Sequence, residues 1–247
     1  MIAKTLEDIA KSYRREILDL GLETNIPHIA PSFSTVEIIV ALYEDLMTEN
    51  DKFILSKGHG CLGYYIALRR KGFEPQIKYH PDIEVAQGIE CTSGSLGHGL
   101  PVGVGMAFAK KYILQEEGNV YVLMGDGECQ EGTIWESLLI ASYHKLNNLV
   151  IVIDHNKIQS LGRVGDTLSF GNFKSKFASL GCFVLELDGH DIAALQRGLR
   201  VDGENKPKVI IAHTVKGKGF SIAENNPEWH HRLPVGKELV LAEEELR

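Results

Sequence analysis

Gly125-Asp126-Gly127 carries the clearest chemical content in this sequence. A carboxylate between two glycines stands where the backbone can turn sharply and approach a ligand with no Cβ in the way. Twenty-eight residues, 128 to 155, separate Gly127 from Asn156. One carboxylate and one amide oxygen make a sparse, hard donor set. Magnesium suits it, because that ion takes few protein ligands and completes its shell with phosphate and water. A helix opening after Gly132 points its N-terminus at the same place and favours an anion there. Taken alone, the tripeptide is as readily a simple turn. A second candidate is Thr92-Ser93-Gly94-Ser95-Leu96-Gly97-His98-Gly99-Leu100. It fits neither the dinucleotide nor the Walker spacing, and it is one residue out of register for a nucleophile elbow. It is either a turn before a helix or a backbone cradle for a cofactor. Histidine is the third. Of ten, His28, His59, His80, His98, His155, His213, His230 and His231 fall in loops or at element ends. Imidazoles there serve as hydrogen-bond partners and proton carriers near neutral pH, although a single one is more often structural. No HExxH or HxH pattern supports zinc. Ser56-Lys57-Gly58-His59-Gly60 suggests a polar substrate funnel instead.

The elements that must hold these groups can be read from periodicity. Leu6, Ile9, Ala10, Tyr13, Ile17 and Leu20 recur at helical spacing, with Thr5 and Asp8 in capping-box register. Ser34-Thr35-Val36-Glu37 reads as a stronger capping box, opening a helix to about Met47. A third helix follows His59 and ends near Gly72, placed as a C-cap. Residues 73–91 form a long, polar, aperiodic loop, a kind that is usually functional inside a compact domain. After Gly97 a small-residue helix (Gly103, Gly105, Ala107, Ala109) runs to about Gly118. Four apolar runs follow: Val120–Met124, Leu149–Ile153, Phe183–Leu187 and Val209–Ala212. Each has the length of a buried strand. Helices around 133–146, 171–180 and 191–200 separate them, and the last dozen residues form a charged terminal helix. The alternation predicts an α/β fold, a doubly wound, mainly parallel sheet with helices on both faces. Ligands of such sheets bind beyond the carboxyl ends of the strands. Asp126 and Asn156 follow two of those ends.

Composition narrows the class. The 247 residues are 44% hydrophobic and 24% charged, with 25 glycines. That fits one well-packed domain spanning 1–247, with N-terminal helices and a C-terminal arm. The 26 basic against 33 acidic residues give a net charge of −7, which speaks against a nucleic-acid partner. The longest apolar runs fall far short of the roughly 20 residues that span a membrane. The N-terminal stretch has no apolar h-region, so no signal peptide is expected. Cys61, Cys91, Cys129 and Cys182 are far apart and form no CxxC pair. They read as reduced, mostly buried thiols of a cytoplasmic protein.

Longer words carry a resemblance. GDGECQEGTIWESLLIASYHKLNNLVIVIDHNKIQ is similar to the thiamine diphosphate signature: GDG, a helix, a strand, then Asn. SKGHG, TSGSLGHGLPVGVGMA, GDGECQEG, NKIQ and HTVKGKGFSIAENNPEWHH together resemble the transketolase family, specifically its N-terminal diphosphate-binding domain. The resemblance spans nearly the whole chain, in family order. It implies thiamine diphosphate and Mg²⁺ as cofactors. Asp126 and Asn156 would hold the metal by side chain and Ile158 by its carbonyl. Gly94, Leu96 and Gly97 would line the cofactor cleft, and Gly125 and Gly127 the diphosphate. His59 and His230 match histidines near the diphosphate and substrate. His80 matches one that contacts the donor ketose, and His28 one that assists proton transfers on substrate hydroxyls. Glu131 matches a glutamate at the subunit interface.

The resemblance also implies a missing half. In transketolases a glutamate on a separate pyrimidine-binding domain activates the cofactor. This chain matches only the first domain, so it resembles one subunit of a split transketolase. A second polypeptide would supply the pyrimidine-binding and C-terminal domains, as an α2β2 assembly. The expected activity is transfer of a two-carbon ketol unit from a ketose (phosphate) to an aldose. The α subunit of a 2-oxo acid dehydrogenase is an alternative, since it too has split domains and GDG…N, but TSGSLGHG and EWHH speak against it. A non-catalytic scaffold is a third reading. There are departures from the family words. Ser-Gly-His-Pro-Gly becomes Ile26-Pro27-His28-Ile29-Ala30, Ser160 replaces an aliphatic residue, Trp-His-Gly becomes Trp229-His230-His231, and the loop shortens around Asp82–Gly88. They leave cofactor binding intact and point to a specialised sugar pathway.

Overall fold

The structure is a computed structural model that describes residues 4–160 and 162–247. The first three residues of the N-terminal stretch, and Leu161, lie outside the described residues. The first helices are α1 (Leu6–Thr24), α2 (Ile29–Phe33) and α3 (Val36–Val40), the last prolonged by a wider π-type turn over Ala41–Leu46. Strand β1 (Lys52–Leu55) leads to α4 (Cys61–Arg70), and α5 (Gly99–Phe108) to β2 (Val120–Gly125). Then come α6 (Gly132–Tyr143), β3 (Leu149–His155), a two-stranded hairpin of β4 (Ile158–Gln159) and β5 (Gly162–Arg163), and α7 (Val164–Thr167). The chain closes with α8 (Phe173–Ser179), β6 (Phe183–Asp188), α9 (Ile192–Arg200), β7 (Lys208–His213) and α10 (Lys237–Glu245).

Five strands pair in the order β1-β2-β3-β7-β6, every pair parallel. Alternation of side chains along each strand feeds two cores. Phe53, Leu55, Tyr121, Leu123, Val150, Val152, Ile210 and Ala212 pack on α1, α3, α4 and α9. Ile54, Val122, Met124, Ile151, Ile153 and Ile211 pack on α5, α6 and α8. Burial on both faces is why these strands read as continuous apolar runs. The α/β reading is correct, and all four expected strands are present. β1 was not among them. It is a four-residue edge strand that opens on a lysine, too short to stand out.

The Thr5–Asp8 capping box is formed in both directions, and Gly72 follows α4 with φ +88°. The second capping box is not formed. The helix does begin at Val36 and runs, through its π-type turn, to Leu46, but no side chain caps it. Ser34 Oγ donates instead to the Asp154 carboxylate (2.7 Å) and Thr35 Oγ1 to the Ser32 carbonyl (3.1 Å). Glu37 pairs with Arg14 (2.7 Å) and His190 (2.9 Å). The spacing was that of a cap, but buried partners claim the same groups. The small-residue helix stops at Leu114 because Gln115 takes a left-handed conformation (φ +54°) ahead of Gly118.

Candidate active site

Parallel register brings the loops to one level. Gly125 lies opposite Asp154, and Asp154 opposite Ala212. Asp126, Asn156 and Thr214 therefore leave the sheet side by side at its carboxyl edge, where ligands of such sheets bind.

The floor of this edge is a buried carboxylate. Asp154, 0% exposed, accepts hydrogen bonds from Lys57 Nζ, Thr214 Oγ1, Ser34 Oγ (2.7 Å) and Asn156 Nδ2 (2.8 Å). Burial alone would push its pKa up. The Lys57 ammonium and the surrounding donors outweigh burial and hold it below the usual value. Lys57 is also fixed by the Pro31 carbonyl (3.0 Å). A second buried carboxylate, Glu128, accepts from Ser56 Oγ, the Gly97 amide (2.9 Å) and the Gly125 amide (3.1 Å). Burial raises its pKa despite those donors. It ties together the two glycine-rich turns and the Ser56-Lys57 segment, and so sets their mutual geometry.

Above the floor, Asp126 Oδ1 accepts from the Gly127 amide (2.8 Å), and Oδ2 from the Lys157 amide (2.6 Å) and the His155 ring (3.1 Å). Asn156 Oδ1 accepts from the Ile158 amide (2.9 Å). The Ile158 carbonyl accepts from Lys216 Nζ (3.3 Å). Among the described residues no group of three His, Cys, Asp or Glu side chains could hold a metal ion. The available set is one carboxylate, one amide and one carbonyl, all oxygen, with lone pairs to spare. That suits Mg²⁺ completed by phosphate and water, and not zinc. A Cβ on Gly127 would collide with Gln159 Oε1 and stand 2.8 Å from the Gln159 Cβ, so this turn admits only glycine beside the cleft. The residues fit a diphosphate bound through Mg²⁺.

Imidazoles form the opposite wall. The His28 ring is ringed by His59, Tyr79, His80, His230 and His231, at centroid distances of 4.9 to 6.0 Å. Burial, aided by His231 and His80, lowers the His28 pKa to about 4. Burial and Lys216 lower that of His230 to about 3, and burial and Lys57 hold His59 well below its usual value. These rings are neutral at pH 7, each with one donor and one acceptor nitrogen. Lys216 donates to His230 Nδ1 (2.7 Å), and burial beside Lys57 lowers its own pKa to about 7.

The cleft between floor and wall has a volume of about 510 Å³. It is lined by His28, His59, His80, Gly94, Leu96, Gly125, Asp126, Gly127, Glu131, Asn156, Ile158 and His230. All are residues expected at the site. Gly97 was expected there too, and it stands behind the lining. It turns with φ +85° and bonds Glu128 by its amide and Thr133 by its carbonyl. Sequence reasoning missed Lys57, Glu128, Asp154 and Lys216. Lysines and acids read as surface residues, and only burial distinguishes these. Their position at strand ends and inside the glycine-rich words was the available signal.

Residues 37–245 match the family described as transketolase, thiamine diphosphate binding domain. The chain belongs to the transketolase family. It is 40% identical to one of the subunits of an apulose-4-phosphate transketolase of Actinobacillus succinogenes, over 98% of this chain and 96% of that protein. It is 33% identical to the SqwG subunit of a 6-deoxy-6-sulfo-D-fructose transketolase of Clostridium sp. strain MSTE9, over 92% of this chain and 86% of that one. The transketolase of Leishmania mexicana superposes with a TM-score of 0.89 at 23% identity, covering 98% of this chain. The chain spans 41% of that transketolase. Family membership weighs against the 2-oxo acid dehydrogenase alternative. The four cysteines are free, and no helix among the described residues is long and apolar enough to cross a membrane.

Proposed function

We propose that the chain, a single diphosphate-binding domain, is one subunit of a split transketolase. With thiamine diphosphate, Mg²⁺ and a partner chain carrying the pyrimidine-binding and C-terminal domains, it transfers a two-carbon ketol unit from a ketose to an aldose. The observation that carries this reading is the convergence of Asp126, Asn156 and the Ile158 carbonyl opposite a wall of imidazoles. Asp126, Asn156 and Ile158 hold the metal, and the Gly125–Gly127 turn lies against the diphosphate. The bound cofactor supplies the electron sink for carbon–carbon cleavage. His59 and His230, both neutral, face the diphosphate and the substrate. His28 Nδ1 has no partner among the described residues, so it is free to exchange a proton with a substrate hydroxyl. His80 forms the donor side of the same wall. Relatives of nearly the same length that carry the names of single transketolase subunits support the need for a second chain.

Two features of the surface favour an obligate partner. Glu131 is exposed at the start of α6, beside the cleft. Farther along that helix Leu139, Ile140 and Tyr143 are exposed, Tyr143 to 82%, and exposed Tyr112 donates to the His144 carbonyl at the helix end (2.6 Å). An apolar area of this kind marks an interaction surface. We propose an α2β2 assembly built on it. The test is co-expression with a chain carrying the pyrimidine-binding domain, then assay of ketol transfer with cofactor and Mg²⁺ titrated separately. Asp126→Asn, which removes the carboxylate charge from a direct ligand, is expected to weaken Mg²⁺ binding by more than the roughly 10- to 100-fold that loss of an outer-shell partner costs. Full activity of that variant at limiting Mg²⁺ would remove the metal assignment. Release of CO₂ from a 2-oxo acid in place of ketol transfer would remove the transketolase reading.

A further inference from the structure

Across the outer end of the cleft, Tyr79 Oη and His231 Nε2 lie 2.8 Å apart. The contact joins the long 73–91 loop to the turn over Pro227–His231. That turn is docked on the segment before α2, since the Arg232 amide donates to the Pro27 carbonyl (3.1 Å). Tyr79 is 41% exposed and His231 is exposed, so the pair forms a rim reached by ligand and solvent. Both rings pack edge-on against His28, at 5.3 and 4.9 Å, while His28 itself is 5% exposed. The rim therefore stands directly beside the His28 ring.

Its chemistry is specific. With the phenol donating to Nε2, His231 Nδ1–H remains a free donor and the Tyr79 oxygen a free acceptor. One donor beside one acceptor complements a hydroxyl group, which both gives and takes a hydrogen bond. The neighbouring cations are already engaged. Lys78 is held by Asp82 (2.7 Å) and Arg232 by Glu238. Lys57 and Lys216 are tied down at the floor. This rim suits the neutral, hydroxylated part of a sugar, since among the described residues each neighbouring cation already has a partner.

We propose that Tyr79 and His231 are specificity-determining residues that bind a hydroxyl of the acceptor aldose remote from its reacting carbon. The proposal rests on the ketol-transfer reading above. The test uses the reconstituted two-chain complex with one ketose donor held saturating, and compares glycolaldehyde with D-erythrose as acceptors. Tyr79→Phe and His231→Ala are each expected to lower kcat/KM for erythrose about tenfold, mainly through KM. Glycolaldehyde, which lacks the remote hydroxyls, is expected to lose clearly less than erythrose. The double variant is expected to be no worse than either single one, because both remove one shared arrangement. His231→Gln, which keeps a donor and an acceptor, is expected to recover most of the loss. Equal loss on both acceptors, no loss on either, or additive losses overturn the proposal while leaving the ketol-transfer reading intact. A wild-type complex that transfers no ketol unit to either aldose overturns both.

Discussion

Replacing Lys57 with methionine leaves the Asp154 carboxylate buried without its cation. Lys57 is 1% exposed and Asp154 0%, so solvent does not screen the pair. Removing one partner of a buried pair costs about 3–5 kcal/mol. Ser34, Asn156 and Thr214 still donate to the carboxylate, which places the expected loss at the lower end, about 3 kcal/mol. In a domain of this size each kcal/mol shifts Tm by about 2–4 °C, so a fall of about 6–12 °C is expected. The pH dependence follows from the direction of the shift. In the wild type the folded pKa of Asp154 lies below its usual 3.8, so its stabilisation is present above that value and is lost as pH falls through the folded one. In the variant, burial without Lys57 raises that pKa. The penalty is then largest at neutral pH and shrinks as pH falls through the raised value. Circular-dichroism melts at about pH 7.5 and about pH 5 measure both effects. The Lys57→Met/Asp154→Asn double variant is expected to lose less stability than the sum of the two single losses, because it leaves no uncompensated charge. A fall under about 2 °C, or strictly additive losses, would refute the reasoning.

Gly127→Ala is expected to weaken cofactor binding at least about tenfold and to lower Tm by about 2–12 °C, because the new Cβ must displace Gln159 in the turn. Fluorescence titration of the complex measures this. His28 and His230 have folded pKa values of about 4 and about 3, against 6.5 unfolded. The unfolded chain thus binds more protons below 6.5, and stability falls as pH drops from there toward 4. Urea midpoints across that range are expected to show the decline, and His28→Gln to flatten it. Ile140→Glu places a charge on the exposed face of α6 and is expected to abolish co-elution with the partner chain while leaving Tm of the isolated chain within about 1 °C.

The sheet was legible because β2, β3 and β7 are buried on both faces and must be apolar throughout. β1 escaped because an edge strand of four residues has no period to detect. Ser34 and Thr35 misled for a better reason. Short hydroxyl side chains ahead of an acidic residue are what a helix cap needs, but the buried Asp154 carboxylate claims Ser34 and the Ser32 carbonyl claims Thr35. Asp126, Asn156 and the glycine turns were legible from spacing and from the resemblance. Lys57, Asp154 and Lys216 were not. Their role depends on being out of water, which one-dimensional sequence does not record. Tyr79 and His231 are 152 positions apart, and only the folded loops bring them into contact.

The oxygens at the carboxyl edge have a kinetic consequence. Asp126 is held by the Gly127 amide of its own loop and by the Lys157 amide of the loop after β3, and Asn156 by the Ile158 amide. These loops are in place as soon as the sheet forms. The site is preorganised, so ordering entropy is lost at folding and not at ligand capture. Association at this edge is then limited by encounter and dehydration, with little rearrangement to slow it. The glycine-rich turns thus present polar groups already paired within this chain.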